Sequence, residues 1–131
     1  MKSQVIADTV TRRIYDVDEA MGSVHDFALC KETLLQILFL YVIILADSGY
    51  QGIQSYHEWS LIPVKAGKNR PLSAAEKAYN KALSRQRICI ENINAQIKVF
   101  KIMSYPYRNR RRRHLLRMKL ICAILNAERV A

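Results

Sequence analysis

The stretch ILFLYVIILADSGYQG, residues 37–52, governs the interpretation of the rest of the chain. An unbroken apolar run from Ile37 to Ala46, β-branched at 42–44, ends abruptly in a carboxylate and two glycines. This pattern predicts a buried strand that delivers Asp47 to its carboxyl end, where open α/β sheets hold ligands and metals. The alternative is that Asp47 caps a short helix beginning there. The local sequence supports both interpretations equally.

The composition favours a single basic domain with a polyanionic partner. The chain has 131 residues, and Lys plus Arg outnumber Asp plus Glu by 21 to 11, which gives a net charge of +10. Nucleic acid is a better partner for such a charge than a membrane surface. No membrane association is expected, because the longest apolar run is too short to span a bilayer. Cys30, Cys89 and Cys122 lack metal-site or disulfide spacing, so we expect a cytoplasmic protein.

The hydrophobic periodicity predicts a mixed α/β chain. A hairpin is expected near the start, because two β-rich runs flank Thr11-Arg12. A helix is expected from Phe27 to about Ile37, with Ser23 as its N-cap. In order, the predicted elements are strands over about 3–20, strands over about 40–64, a long helix over about 73–101 and a C-terminal helix over about 111–129.

The long helix has two faces with different chemistry. Ser73 and Glu76 have the spacing of a capping box at its start. One face carries the charged residues Arg87, Glu91 and Lys98. The opposite face carries the apolar residues Ile90, Ile93, Ile97 and Phe100. We expect the apolar group to be core, with a break in the helix at Pro106.

Asp47 and Glu91 are a candidate pair of ligands for a divalent cation, because Mg²⁺ prefers oxygen ligands. Two carboxylates in a sequence are a weak signal by themselves. The simpler alternative for Glu91 is a salt bridge with Arg87, four residues earlier in the helix.

The densest charge lies in the run Arg108-Asn109-Arg110-Arg111-Arg112-Arg113. With Tyr105 and Tyr107 beside it, this run is a candidate contact for the DNA phosphate backbone, although a solubilising face is the alternative. His57 and His114 lack partners at metal-ligand spacing and are predicted to be surface residues.

Five segments taken in order resemble transposases of bacterial insertion sequences, of the group called insertion sequence five. They are GSVHDF at 22–27, ADSGYQG at 46–52, PLSAAEK at 71–77, RICIENI at 87–93 and YRNR at 107–110. The resemblance covers nearly the whole chain and implies a DDE transposase catalytic domain with an RNase-H-like mixed sheet flanked by helices. In that family three acidic residues hold two Mg²⁺ or Mn²⁺ ions.

Carried onto this sequence, the resemblance makes Asp47 the second acidic residue and Glu91 the third. It implies that Arg87 and Lys98 contact DNA phosphate near the cut end. A tyrosine that commonly precedes the arginine by three residues is replaced here by Ser84. His25 and Asp26 match a family motif, and capping is the simpler role for them.

The first acidic residue of the family pattern would lie upstream of Val5, so the resemblance implies a domain truncated at its N-terminal strand. We therefore expect a transposase fragment that is inactive alone and binds metal weakly or not at all. An upstream transposase segment could supply the missing aspartate, and self-association is left open. The alternatives are a non-catalytic nucleic-acid-binding module and a decayed remnant.

Overall fold

The computed structural model describes residues 2–21, 27–31, 42–105 and 113–130. They form two compact units. The first unit contains the chain up to residue 22 and from 88 onward, and the second contains residues 23–87. The predictions for Ser23, His25 and Asp26, and for residues 32–41, lie outside the described residues.

The first unit begins with the expected hairpin. Strand β1 (Lys2–Ala7) pairs antiparallel with β2 (Ile14–Ala20). The register runs from Ile6 opposite Asp16 to Ala7 opposite Ile14, which leaves Tyr15 as an extra, exposed residue. This bulge places Ile14 and Val17 on one face, although an odd spacing in a regular strand would separate them.

Two helices cover this hairpin and complete a core. They are α1 (Ala74–Val99), whose second half belongs to this unit, and α3 (His114–Val130). The core side chains recur at helical and strand spacing, and they are Ile14, Val17, Ile93, Ile97, Met118, Ile121, Cys122 and Leu125. Leu120 and Ile124 are exposed, so α3 buries only one face of its apolar 120–125 stretch.

The bulge in β2 is stabilised by an asparagine from α3. The Ile14 N–H donates to Asn126 Oδ1 at 2.9 Å, and Asn126 Nδ2 donates to the Ile14 carbonyl at 2.8 Å. The amide side chain thus satisfies both backbone groups of Ile14, as a neighbouring strand would.

The second unit contains a short parallel strand pair. Strand β3 (Ile44–Leu45) pairs with β4 (Ser60–Leu61), so the strand that the sequence predicted over 40–46 is shorter in the part that the structure describes. Val42 and Ile43 are exposed and extend beyond this pairing. Both side chains are about half exposed, so this part of the predicted strand is not fully buried.

Helix α1 starts at the predicted capping box. The Ser73 N–H donates to Glu76 Oε2 at 2.8 Å, and the Glu76 N–H donates to Ser73 Oγ at 3.1 Å. The Ser73 N–H, with Arg70 nearby, lowers the pKa of Glu76 from its ordinary value.

Farther along α1, Asn80 exchanges hydrogen bonds with the backbone of Val64 at 2.8 and 2.9 Å, which ties this helix to the chain after β4.

Helix α1 ends at Val99, close to the predicted end near residue 101. Phe100 after it is extended, and a single turn α2 (Lys101–Ser104) follows before Pro106. Phe100 and Met103 both pack against the core of the first unit. The break is explained by this packing, since local sequence there contains neither glycine nor proline.

The expectation of an α/β fold is confirmed at this coarse level. The described strands form two separate two-stranded sheets, one antiparallel and one parallel, and not one continuous mixed sheet.

Candidate active site

Asp47 lies at the carboxyl end of β3, and it also caps a short helix. Its backbone is extended, its Oδ1 accepts a hydrogen bond of 2.6 Å from the Ser48 N–H, and a 3-10 helix follows over Ser48–Tyr50. The strand-end and cap interpretations are therefore compatible. The cap fixes the carboxylate, whose side chain remains 56% exposed and open to a ligand from solvent.

Arg87 of α1 reaches the same carboxylate. Its Nη1 lies 3.2 Å from Asp47 Oδ1, and the arginine side chain is 25% exposed. Both residues belong to the second unit, far apart in sequence. The structure thus brings together two of the residues that the sequence selected. It gives Arg87 an acidic partner other than the Glu91 of the simpler sequence interpretation.

The remaining predicted residues are placed as follows. Glu91 and Lys98 are exposed on the part of α1 that belongs to the first unit. Arg113 is exposed at the residue before α3. Arg108, Arg110, Arg111 and Arg112 lie outside the described residues, as does Tyr107. The convergence of Asp47 and Glu91 on one cation stays a prediction.

An aromatic cluster supports the segment that follows Asp47. The rings of Phe27 and Tyr56 meet edge to face with centroids 5.6 Å apart, and Lys31 Nζ lies 4.6 Å from each centroid. The chain between them passes through Gly52, whose φ of +92° is in the left-handed region. The sequence did not predict this cluster, because Tyr56 is distant from Phe27 and Lys31 in the sequence and meets them only in the folded unit.

Replacing Gly52 with alanine is expected to destabilise the protein by about 1–2 kcal/mol, because an L side chain is strained at this φ. Space is not the cause, since the new Cβ would lie at an ordinary 3.5 Å from Phe27 Cε1. Urea denaturation would measure the change. Gly67→Ala is the matched control, because its Cβ would also lie 3.5 Å from its nearest neighbour but without positive φ. An equal loss in both variants would contradict the strain argument.

Two histidines that the sequence placed on the surface are partly or fully buried. His114 Nδ1 lies 2.6 Å from Glu19 Oε1, and both side chains are nearly inaccessible. His57 is half-buried, with Nδ1 3.0 Å from Ser60 Oγ beside β4. The prediction rested on the lack of metal-ligand spacing around each histidine, and that pattern does not report whether a side chain is buried. The pairing of His114 with Glu19 depends on tertiary structure.

Two buried cysteines are poorly suited to thiolate chemistry. Burial raises the pKa of the Cys30 thiol to about 11 and raises the pKa of Cys122 as well, which disfavours reactive thiolates. Among the described residues, no three His, Cys, Asp or Glu side chains come together as a metal-binding group. No helix in those residues is long and apolar enough to cross a membrane.

Comparison with known proteins identifies the family. The model of the DDE superfamily endonuclease family matches residues 1–126. The chain belongs to the DDE endonuclease superfamily. A probable transposase for insertion sequence element IS702 of Microchaete diplosiphon is 40% identical to this DDE chain over 128 residues. The match covers 98% of the chain and 46% of that transposase, so the chain spans about half the length of the curated relative it matches. No solved structure matches it.

The predicted resemblance to DDE transposases is confirmed by two matches. One is to the DDE superfamily and the other is to an insertion-sequence transposase. Asp47 of the second unit is 56% exposed, and its role as one of the acidic residues of such a site stays a prediction.

Proposed function

We propose that this chain is part of the catalytic domain of an insertion-sequence transposase, of the insertion-sequence-five group and with an RNase-H-like fold. The observation that carries the proposal is the 3.2 Å contact between Asp47 and Arg87. The family resemblance assigns both residues to the site, and they meet although the sequence separates them widely. The 40% identity to a probable transposase over 98% of the chain supports the same function.

Asp47 and Glu91 are proposed to be the ligands that this chain contributes for Mg²⁺ or Mn²⁺. Carboxylate oxygens suit these hard cations, and both carboxylates are exposed. Asp47 also has its orientation fixed by the Ser48 N–H. When bound, a pair of such cations activates water or a 3′-hydroxyl and stabilises the leaving oxygen of a phosphodiester.

The chain's own basic residues then hold the DNA. Arg87 and Lys98 are proposed to neutralise phosphate charge, and Arg87 offers a planar fork that matches phosphate oxygens. The arginines at 108 and 110–113 are proposed to contact the backbone away from the cut. Such contacts release counterions, so DNA affinity conferred by these arginines falls as salt rises.

A third carboxylate is proposed to come from another segment of the transposase. A metal pair that lacks one ligand loses affinity and geometry together. We therefore expect weak Mn²⁺ binding by this chain and no strand cleavage or joining by the chain alone.

A Mn²⁺ titration followed by nuclear magnetic resonance tests the proposal. Paramagnetic Mn²⁺ at millimolar concentration is expected to broaden the amide signals around Asp47 and Glu91 in the natural chain. The variants Asp47→Asn and Glu91→Gln should each reduce this broadening at both positions, because the two carboxylates share the cation. Asp16→Asn on the hairpin is the control and should change nothing.

Two results would count against the proposal. If broadening at residue 47 persists in Asp47→Asn, the metal assignment is wrong. If DNA binds with the expected salt dependence while Mn²⁺ broadens neither position, the chain is a nucleic-acid-binding module without a metal site.

A further inference from the structure

Arg87 contacts the carboxylate that the proposed function assigns to a metal ion. Its guanidinium is 3.2 Å from Asp47 Oδ1, the same oxygen that accepts a hydrogen bond from the Ser48 N–H. The basic side chain therefore neutralises a carboxylate that the proposed function gives to a metal. A carboxylate oxygen shared with a guanidinium binds a divalent cation less well, because the two positive groups repel each other.

We propose that Arg87 neutralises Asp47 in the metal-free protein and that a divalent cation displaces it, which frees the guanidinium to bind a DNA phosphate. This inference rests on the proposed function and adds a regulatory step to it. In this scheme Arg87 has two successive anionic partners, the carboxylate before the metal arrives and the phosphate afterwards.

The exposure of the pair makes the exchange energetically feasible. The Arg87 side chain is 25% exposed and that of Asp47 is 56% exposed, so water screens their attraction. Exposed ion pairs of this kind contribute little to stability, and breaking one changes an equilibrium by about two- to fivefold. A divalent cation can supply that factor.

The geometry also leaves the carboxylate in place when the arginine leaves. Asp47 is held by the Ser48 N–H at 2.6 Å and by its position after β3, and neither constraint involves Arg87. The arginine side chain is long and flexible, and it keeps its charge at all relevant pH values. Only Arg87 has to move, from one acidic partner to another.

The exchange predicts that metal and DNA assist each other. A cation at Asp47 releases Arg87 for phosphate, and phosphate that holds Arg87 leaves Asp47 available to the cation. Such coupling between two ligands is reciprocal, so each must raise the affinity for the other by the same factor. A static surface ion pair would produce no coupling of this kind.

The first test compares Mn²⁺ affinity in matched variants of the whole chain, by amide broadening around residue 47. Arg87→Gln is expected to bind Mn²⁺ about two- to fivefold more tightly than the natural chain, because the competing guanidinium is gone. Arg85→Gln removes the same charge from an exposed position of the same helix and is expected to leave the affinity unchanged. Equal or weaker binding by Arg87→Gln would overturn the inference.

The second test measures coupling with a mixed-sequence DNA duplex at constant ionic strength. Mn²⁺ is expected to raise the DNA affinity of the natural chain by about two- to fivefold and that of Arg87→Gln not at all. Arg87→Lys keeps the positive charge and is expected to retain part of the coupling between Mn²⁺ and DNA. Circular dichroism verifies that every variant is folded. Equal coupling in the natural chain and Arg87→Gln would overturn the exchange.

The two proposals fail in different ways. If Asp47→Asn binds Mn²⁺ as the natural chain does, the metal site itself is wrong and the exchange falls with it. If Asp47→Asn abolishes Mn²⁺ binding while Arg87→Gln leaves it unchanged, the metal site stands and only the exchange is excluded. If the natural chain and Arg87→Gln both leave the signals unchanged at millimolar Mn²⁺, both proposals are overturned.

Discussion

Replacing His114 with alanine is expected to lower the free energy of unfolding by about 3 kcal/mol, because it leaves the buried carboxylate of Glu19 without this partner. In the natural chain a carboxylate can only accept, so the Nδ1–H of His114 donates to Glu19 Oε1 at 2.6 Å. Small domains are stable by only about 5–15 kcal/mol, so the loss would be a large part of the total. Urea denaturation at neutral pH measures it.

A double-mutant cycle with Glu19→Ala separates the unpaired charge from lost packing. If the orphaned carboxylate causes the loss, the double variant should be more stable than His114→Ala alone. Simple additivity of the two single losses would contradict this explanation.

Replacing Ile93 with alanine is expected to cost about 3 kcal/mol, by lost burial and by the cavity that remains. Ile93 is 1% exposed and lies within the core of the first unit, among side chains from β2 and α3. The hairpin and the two helices around Ile93 would have to shift to fill the space left by a smaller side chain. Thermal and urea unfolding would both report the change.

Ile88→Ala is the matched control, since it removes the same atoms from an exposed position of the same helix. Its effect should stay within about 0.5 kcal/mol. If Ile88→Ala and Ile93→Ala were equally damaging, the core would be placed incorrectly along α1.

The sequence was most informative where the signal is local. The capping box at Ser73 and Glu76, the core spacing of Ile93 and Ile97, and the hairpin near the start follow from short-range rules, and the structure contains them all. Helix and turn propensities act over a few residues, so a single sequence carries them.

The errors arose where tertiary contacts override local preference. Phe100 breaks α1 because it packs on the core, and no helix breaker marks the position. The bulge at Tyr15 is invisible to a pattern of alternating residues, since its support comes from Asn126 at the other end of the chain. His114 was predicted to be exposed because its partner on β2 is distant in sequence.

For the candidate site, the sequence selected Asp47 and Arg87 but did not pair them. The pairing requires knowing that α1 passes the end of β3 in the second unit, which no motif encodes. The family resemblance supplied the residue types, and the structure supplied the contact between them. The role of Glu91 beside Asp47 is still carried by the resemblance.

The bond between Asn126 and Ile14 also bears on the order in which the protein can mature during translation. The hairpin residues leave the ribosome long before α3 does, yet both backbone groups of Ile14 bond to Asn126 of that helix. The second unit is continuous in sequence and can close early, whereas the first must wait for its distant half. Completion of the first unit is consequently a late event, because its two parts are separated in the sequence by the whole second unit.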